Sequence, residues 1–369
     1  MKKVLFVVDT LEVGGSEKSM LEMLPYFQDI KISVCYLYPG GHLRSKYEAA
    51  QVNVYALELP GKYSFLRGFK TLSKIIDEVR PDIVHSALLR SSLLVRLVCL
   101  KRKFVHVSSL VADSYNPVRI SQMAPAIRFK FRFFYLLDRL TARWIDYYVA
   151  NSHAIKNDSL RYLGIEPERI EVIYRGRDVS KFHSRDRSHI NHDPFVCITV
   201  GRLILSKGHQ ILIDAFCDPQ LKTEAIELWI VGDGPERPRL ERAIELQGLG
   251  GKVKLLGRRD DVSSLLKTAD LFLFPSLYEG LGGAIIEAML AGIPTVCSNL
   301  PVFHELIQTD ITGRFAANNP KVWAMEIKYM YTHSRERLAM GLTARNTAID
   351  RFDIKKIAAA YENFYRRAE

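Results

Sequence analysis

Residues 275–296 read PSLYEGLGGAIIEAMLAGIPTV, and no other stretch restricts the fold as tightly. Ahead of it, 270–274 (DLFLF) is a short apolar run suited to a buried strand, and from Gly283 onward the alanines, isoleucines, Met289 and Leu290 favour a helix. Glycines at 280, 282 and 283 join the two, where they let backbone N–H groups approach a ligand closely. The helix that begins there aims its positive end at the same point, so the stretch predicts an anion site.

Two carboxylates bracket this loop, Glu279 just before it and Glu287 a little more than one turn into the helix. Glu287 sits between Ile286 and Ala288 on a helix apolar nearly all round, and is expected to be largely buried. A lone buried carboxylate costs several kcal/mol unless it is partnered, so ligand hydroxyls or a nearby base should satisfy it. The structural alternative is an acid near a helix N-terminus that stabilises the macrodipole.

A chain of 369 residues, 48% apolar and 25% charged, is long enough for two domains with substantial cores. Cys35, Cys99, Cys197, Cys217 and Cys297 lie scattered in apolar surroundings without a CxxC pair or metal spacing, and read as reduced core thiols of a cytoplasmic protein. No apolar run reaches the roughly 18 residues that span a bilayer; LLVRLVCL at 93–100 is interrupted by Arg96. The opening MKKVLFVVDT meets Asp9 after a short apolar run and reads as a first buried strand rather than a signal peptide. The net charge of +11 is uneven: residues 1–184 hold 28 Lys and Arg against 18 Asp and Glu, and the remainder 24 against 23. Within 101–143 there are nine basic and two acidic residues. On charge alone that patch suits nucleic acid, anionic lipid or an acidic substrate.

Strand-like runs at 3–8, 31–38, 52–58, 82–86, 103–109 and 146–150 alternate with helical patterns. A second series follows at 195–200 (FVCITV), 227–232 (ELWIVG), 252–257 (KVKLLG), 270–274 and 293–297 (IPTVC). Such alternation predicts two parallel sheets, each covered on both faces by helices. Residues 180–194 are polar, lack a periodic apolar face and end in Pro194, so the linker is placed there. From about 319 to the end the pattern is helical with no strand.

Further candidates stand where strands run into helices. After the first strand a loop closes on Gly14 and Gly15, with Ser16 as the expected N-cap; a plain tight turn is the structural alternative. Arg202 and Lys207 follow the strand at 195–200, at the end where open α/β sheets bind ligands. Each would interact with a diphosphate at about 4 kcal/mol for a separation of about 4 Å and an effective dielectric of about 20; solvated surface cations are the alternative. Asp260 and Asp261 read as helix N-terminal residues. Between 120 and 144, Arg128, Lys130, Arg132, Arg139 and Arg143 interleave with Phe129, Phe131, Phe133, Phe134 and Tyr135. This basic aromatic helix is expected either to lie in an anionic membrane interface or to pack inward on its aromatic side.

The pattern PSxYEGLGGxxxEAMxxGxP, with its Glu-x7-Glu spacing, resembles the donor-binding motif of glycosyltransferase family 4, the retaining glycosyl transferases group 1. The resemblance implies the GT-B fold, two Rossmann-like doubly wound α/β domains facing a central cleft. Residues 1–182 would then form the acceptor domain and 183–348 the nucleotide-sugar donor domain, with 349–369 a helix crossing back to the first domain or capping the second. It implies that Glu279 contacts donor-sugar hydroxyls, that the backbone at Gly280, Leu281, Gly282 and Gly283 holds the diphosphate, and that Glu287 binds the ribose. GR-x4-KG, with Gly201, Arg202 and Lys207, resembles the family's diphosphate clamp. GGSE, with Gly14 and Gly15, resembles the first-domain loop lying over the donor. IVGDGPERPRLE, with Gly232, is similar to a glycine turn of the family, and KLLGRRDDV to the segment whose backbone near Arg258 reads the nucleobase.

Departures from the family also stand out. A His usual after the strand near 104–110 is missing, His106 falls within the strand as a core histidine, and Asp113 is a candidate substitute. Arg175 replaces a usual Asn and is read as serving an acidic acceptor, while His85 is expected to line the cleft or cap its strand. The expected activity is metal-independent, retaining transfer of a sugar, from UDP above all, to a glycan or lipid-linked glycan, with no cofactor. A nucleotide-sugar epimerase of the same fold, a silent family member and a basic nucleic-acid-binding protein remain alternatives. The first half is basic enough for the last, but lacks the aromatic platform of RNA-binding motifs, so no nucleic-acid partner is expected.

Overall fold

The computed structural model describes residues 1–12, 14–61, 64–184 and 194–369. The chain divides into two compact units, Met1–Arg177 with Ile354–Glu369, and Asp178–Asp353. The divisions fall after Arg177 and before Ile354, where the sequence pattern put them at 182 and 349. Of the linker expected at 180–194, residues 185–193 lie outside the described residues.

The first unit is built on seven strands: β1 (Lys2–Val8), β2 (Ile30–Tyr36), β3 (Asn53–Ala56), β4 (Ile83–Ala87), β5 (Val105–Leu110), β6 (Tyr147–Ala150) and β7 (Ile170–Val172). They pair in parallel in the order β3-β2-β1-β4-β5-β6-β7. β1 is central, with Val4 opposite Ile32 on one side and Ile83 on the other. Its side chains alternate between two cores: Val4, Phe6 and Val8 pack with Ile354, Ala358 and Tyr365 of the terminal helix Ile354–Arg367, and Leu5 and Val7 pack with Leu72 and Leu94. A parallel strand buried on both faces needs the unbroken apolar run that 4–8 supplies.

The terminal helix is fastened to the first unit by polar contacts as well. Glu362 accepts from the backbone N–H of Asp29 at 2.7 Å and of Gln28 at 3.2 Å. Lys2 Nζ donates to the carbonyls of Arg366 and Ala368, each at 2.9 Å.

The second unit carries β8 (Phe195–Val200), β9 (Ile226–Val231), β10 (Val253–Gly257), β11 (Leu271–Phe274), β12 (Thr295–Ser298) and β13 (Gly313–Ala316), all parallel, in the order β10-β9-β8-β11-β12-β13. Its core joins Cys197, Leu228 and Leu273 of the sheet to Leu212, Trp323 and Ile327 of covering helices. β7 and β13 are absent from the sequence pattern. Each is the outermost strand on one side of its sheet, and they are three and four residues long, too short to show a period. Beyond residue 319 only helices follow: Pro320–Thr332, Ser334–Phe352 and Ile354–Arg367. All five cysteines are free, and among the described residues no helix is long and apolar enough to cross a membrane.

Candidate functional site

Each sheet reverses its winding once, between β1 and β4 in the first unit and between β8 and β11 in the second. Chains leaving such neighbouring strands diverge to opposite faces and open a crevice beyond the carboxyl ends. In the second unit these are the loops after β8, with Gly201, Arg202 and Lys207, and after β11, with Glu279 to Gly283.

The two loops are locked together. Leu277 N–H donates to the Ser206 carbonyl at 2.8 Å. Gly208 has φ +67, and a Cβ there would lie 2.1 Å from the Pro275 carbonyl oxygen, so only glycine lets the loops approach this closely. Lys207 forms an ion pair with Glu279, and its ammonium also lies 5.0 Å from the centroid of Phe274. Ser276 Oγ donates to the same Glu279 oxygen at 2.9 Å. One cation and one carboxylate thus stand side by side, each partly shielded from water, a pairing suited to a ligand that carries a phosphate next to hydroxyls.

Adjacent strand ends continue this edge. Gly201 N–H donates to the Val231 carbonyl at 3.0 Å and Gly232 N–H to the Gly257 carbonyl at 2.8 Å, which aligns the ends of β8, β9 and β10. At Gly232 φ is +137, and a Cβ would meet the Gly201 carbonyl oxygen at 1.9 Å. Arg258 follows β10 with its side chain exposed. Arg202 is likewise exposed and its side chain makes no hydrogen bond or ion pair with a described residue, so the structure joins Lys207, and not Arg202, to Glu279.

The helix predicted from Gly283 spans Gly283–Leu290, with Gly282 at φ +90 as its N-cap. Gly280, Leu281 and Gly282 are buried, and Glu287 is partly shielded. Its neighbours Ile286 and Ala288 are fully buried, and Glu287 keeps only a partial opening to solvent, as does Glu279. Asp261 stands at the N-terminus of the helix Val262–Thr268, bonded to Arg259 at 2.6 and 2.8 Å. Two residues here went unremarked in the sequence. Ser276 was signalled only by its place before the glycine loop. His209 is buried beside Lys207; desolvation, with the Lys207 charge second, pushes its imidazole down to about 4, so it is neutral at pH 7.

In the first unit Gly14 is the N-cap of the helix Gly15–Met23, and Ser16 lies inside that helix instead of capping it. A Cβ on Gly14 would lie 2.2 Å from Glu17, and one on Gly15 would lie 2.3 Å from Arg175, so both charged side chains fold over the glycine pair. Burial pushes the Glu17 carboxyl up, with nearby backbone amides and the Arg175 charge opposing.

His85 lies within β4 instead of capping it, and lines a small pocket with Ser16, Asn151 and Arg175. It is fully buried, with Nδ1 2.5 Å from Tyr365 Oη and Nε2 2.7 Å from Ser109 Oγ, and burial lowers it to about 3. His106 is also a core residue, with Nε2 2.9 Å from Ser86 Oγ.

A cavity of about 550 Å³ opens at the carboxyl ends of this sheet, roofed by the helix Pro125–Thr141. Ile127, Phe131 and Phe134 from the roof meet Leu110, Val111 and Tyr162, and Asp9, Asp113 and Asp158 supply polar groups. Asn116 Nδ2 donates to Asp113 at 2.5 Å. Burial raises the carboxyls of Asp113 and Asp158, and for Asp158 the Asp113 charge adds to it. Asp9, at the end of β1, accepts from Ser91 N–H at 3.1 Å; only its strand-end position could have marked it in the sequence.

Residues 180–347 match the model of the Glycosyl transferases group 1 family and residues 13–181 that of Glycosyltransferase Family 4, side by side. The capsular polysaccharide biosynthesis glycosyltransferase CapH of Staphylococcus aureus is 27% identical over 352 residues, covering 91% of this chain and 92% of CapH. The UDP-Gal:alpha-D-GlcNAc-diphosphoundecaprenol alpha-1,3-galactosyltransferase of Escherichia coli is 23% identical over 312 residues, 81% of this chain and 79% of that protein. Among solved structures, Anabaena Alr3699/HepE in complex with UDP and glucose superposes with a TM-score of 0.83 at 20% identity, covering 99% of this chain and 100% of that one. With two doubly wound parallel sheets and both family models matched in succession, the chain belongs to the group 1 glycosyltransferases of the GT-B fold.

Proposed function

We propose that this glycosyltransferase moves a sugar from UDP to a hydroxyl of a glycan or lipid-linked glycan in the assembly of a cell-surface polysaccharide. Retention at the anomeric carbon is what the resemblance of its donor loop implies. The observation that carries the reading is the Lys207–Glu279 pair at the β8/β11 crevice, beside the N-terminus of the helix Gly283–Leu290. The names of CapH and of the diphosphoundecaprenol galactosyltransferase support the acceptor class, and the UDP and glucose in Alr3699/HepE support the donor.

In this reading the diphosphate lies against the backbone at Gly280, Leu281, Gly282 and Gly283, where the helix dipole and N–H groups meet negative charge. Lys207 turns from Glu279 towards the β-phosphate, and Arg202 adds a weaker, water-screened attraction. Glu279, held by Ser276, accepts from sugar hydroxyls. The bond from the anomeric carbon to the phosphate oxygen breaks as that carbon gains oxocarbenium character. Charge gathering on the departing UDP is what Lys207 and the helix stabilise. The acceptor oxygen then bonds the anomeric carbon, and its proton passes to a UDP phosphate oxygen. No metal or cofactor takes part. Glu287 binds the ribose, the backbone near Arg258 the base, and the first unit the acceptor.

A screen of nucleotide-sugars for thermal stabilisation tests this. One UDP-sugar should stabilise the wild type, by about 2.7 kcal/mol at a hundredfold excess over Kd, and Glu279→Ala should lose most of that gain. No response to any donor would overturn the proposal, and an epimer formed from donor alone would assign the chain to the isomerases.

A further inference from the structure

The helix Pro125–Thr141 has two unlike faces. Its inner face holds it to the first unit. Asp138 is buried and paired with Arg96 at 2.6 Å, Tyr115 Oη donates to the other Asp138 oxygen, Tyr135 Oη donates to the Tyr162 carbonyl at 2.9 Å, and Phe131 and Phe134 line the cavity beneath. The outer face is apolar and bare. Phe129, Phe133, Leu136 and Leu140 are 78%, 61%, 53% and 58% exposed. Their spacing of four, three and four residues sets them in one stripe along the helix. Trp144, also exposed, stands in the turn that follows.

Charge is sorted in the same way. Arg132 and Arg139 are exposed along one flank of the stripe, Arg143 follows them just past the helix end, and Lys130 is exposed on the other flank. The one acid between 120 and 144 is Asp138, which is buried on the opposite side. Arg128, counted among the cations in the sequence, is turned away: its Nη2 donates to the carbonyls of Ser121 and Met123, each at 3.2 Å.

We infer that this outer face docks on an anionic membrane surface, with the aromatic and leucine side chains in the acyl boundary and the arginines at lipid phosphates. The long arginine stems can lie along the apolar stripe while their heads reach the headgroups. Charge decides the occupant. A second copy seated on this face would set Arg132 and Arg139 against the same cations, and a nucleic acid would leave four large apolar side chains in water. A lipid interface takes up both features.

The inference does not depend on sugar transfer, and its test contains no substrate. The full chain is sedimented with vesicles of phosphatidylcholine, alone or with about one third phosphatidylglycerol. It should sediment with the anionic vesicles and remain in solution with the neutral ones. The pair F129S/F133S and the pair R132E/R139E should each lower partitioning about tenfold or more, while leaving the melting temperature unchanged because these side chains are exposed. Failure of the wild type to sediment, or unaltered sedimentation of both variants, would overturn the inference. So would a concentration-dependent dimer that F129S/F133S dissolves, since that would give the face to a second copy. A chain that sediments but transfers no sugar would sink only the functional reading above.

Discussion

Glu279 accepts from Ser276 and from Lys207 at a single oxygen, and this small arrangement shows what a residue's chemistry owes to its neighbours. Replacing Lys207 by Ala would leave a largely buried carboxylate with a neutral donor alone. A buried group that loses its partner costs about 1–3 kcal/mol, so Lys207→Ala should melt a few degrees lower yet remain folded. Turnover should fall about 10²–10³-fold, the usual cost of one missing donor at a developing anion. Steady-state rates alongside a thermal melt check both, and unchanged turnover would remove Lys207 from the mechanism. The glycine loop and Glu279 were legible in the sequence because strand, loop and helix are consecutive there. The partnership with Lys207 was not, since it spans 72 residues and exists only because β8 pairs with β11.

At the scale of elements, the terminal helix decides the character of β4. His85 stands in the middle of β4, and the hydroxyl of Tyr365, 280 residues further on, meets its Nδ1. Tyr365→Phe should therefore destabilise the protein by about 1–3 kcal/mol, because a fully buried ring nitrogen loses its partner. Chemical denaturation measures this, and a variant as stable as wild type would show that the bond contributes nothing. Patterning revealed all the buried inner strands, whose apolar runs are enforced from both faces, and also the rim strands β3 and β10. β7 and β13, at the opposite rims, span three and four residues and left no readable period.

Across the whole molecule, buried histidines in both units respond to acid. In the second, His209 is depressed to about 4 by burial, against about 6.5 when unfolded. Between those values the unfolded state binds the extra proton, so stability is complete above about pH 6.5 and falls by about 3 kcal/mol as pH drops to 4. In the first unit His85 and His106 act in the same direction, but the raised carboxyls of Asp9, Glu17, Asp113 and Asp158 oppose them, since the folded state holds those protons more tightly. Hydrogen exchange should show Asp178–Asp353 losing protection as pH falls from 7 to 4.5, and His209→Phe should flatten that loss; an unchanged pH dependence in the variant would contradict it. The amino-acid order by itself determined the alternation of strands and helices, the glycines that let backbone meet ligand, and the carboxylates and cations at strand ends, because each depends on residues within one or two turns of chain. Only the tertiary structure decided which strand ends lie side by side, which cation meets which carboxylate, and which face of the helix Pro125–Thr141 is left bare, because pairing and burial are set by contacts between segments that local sequence does not relate.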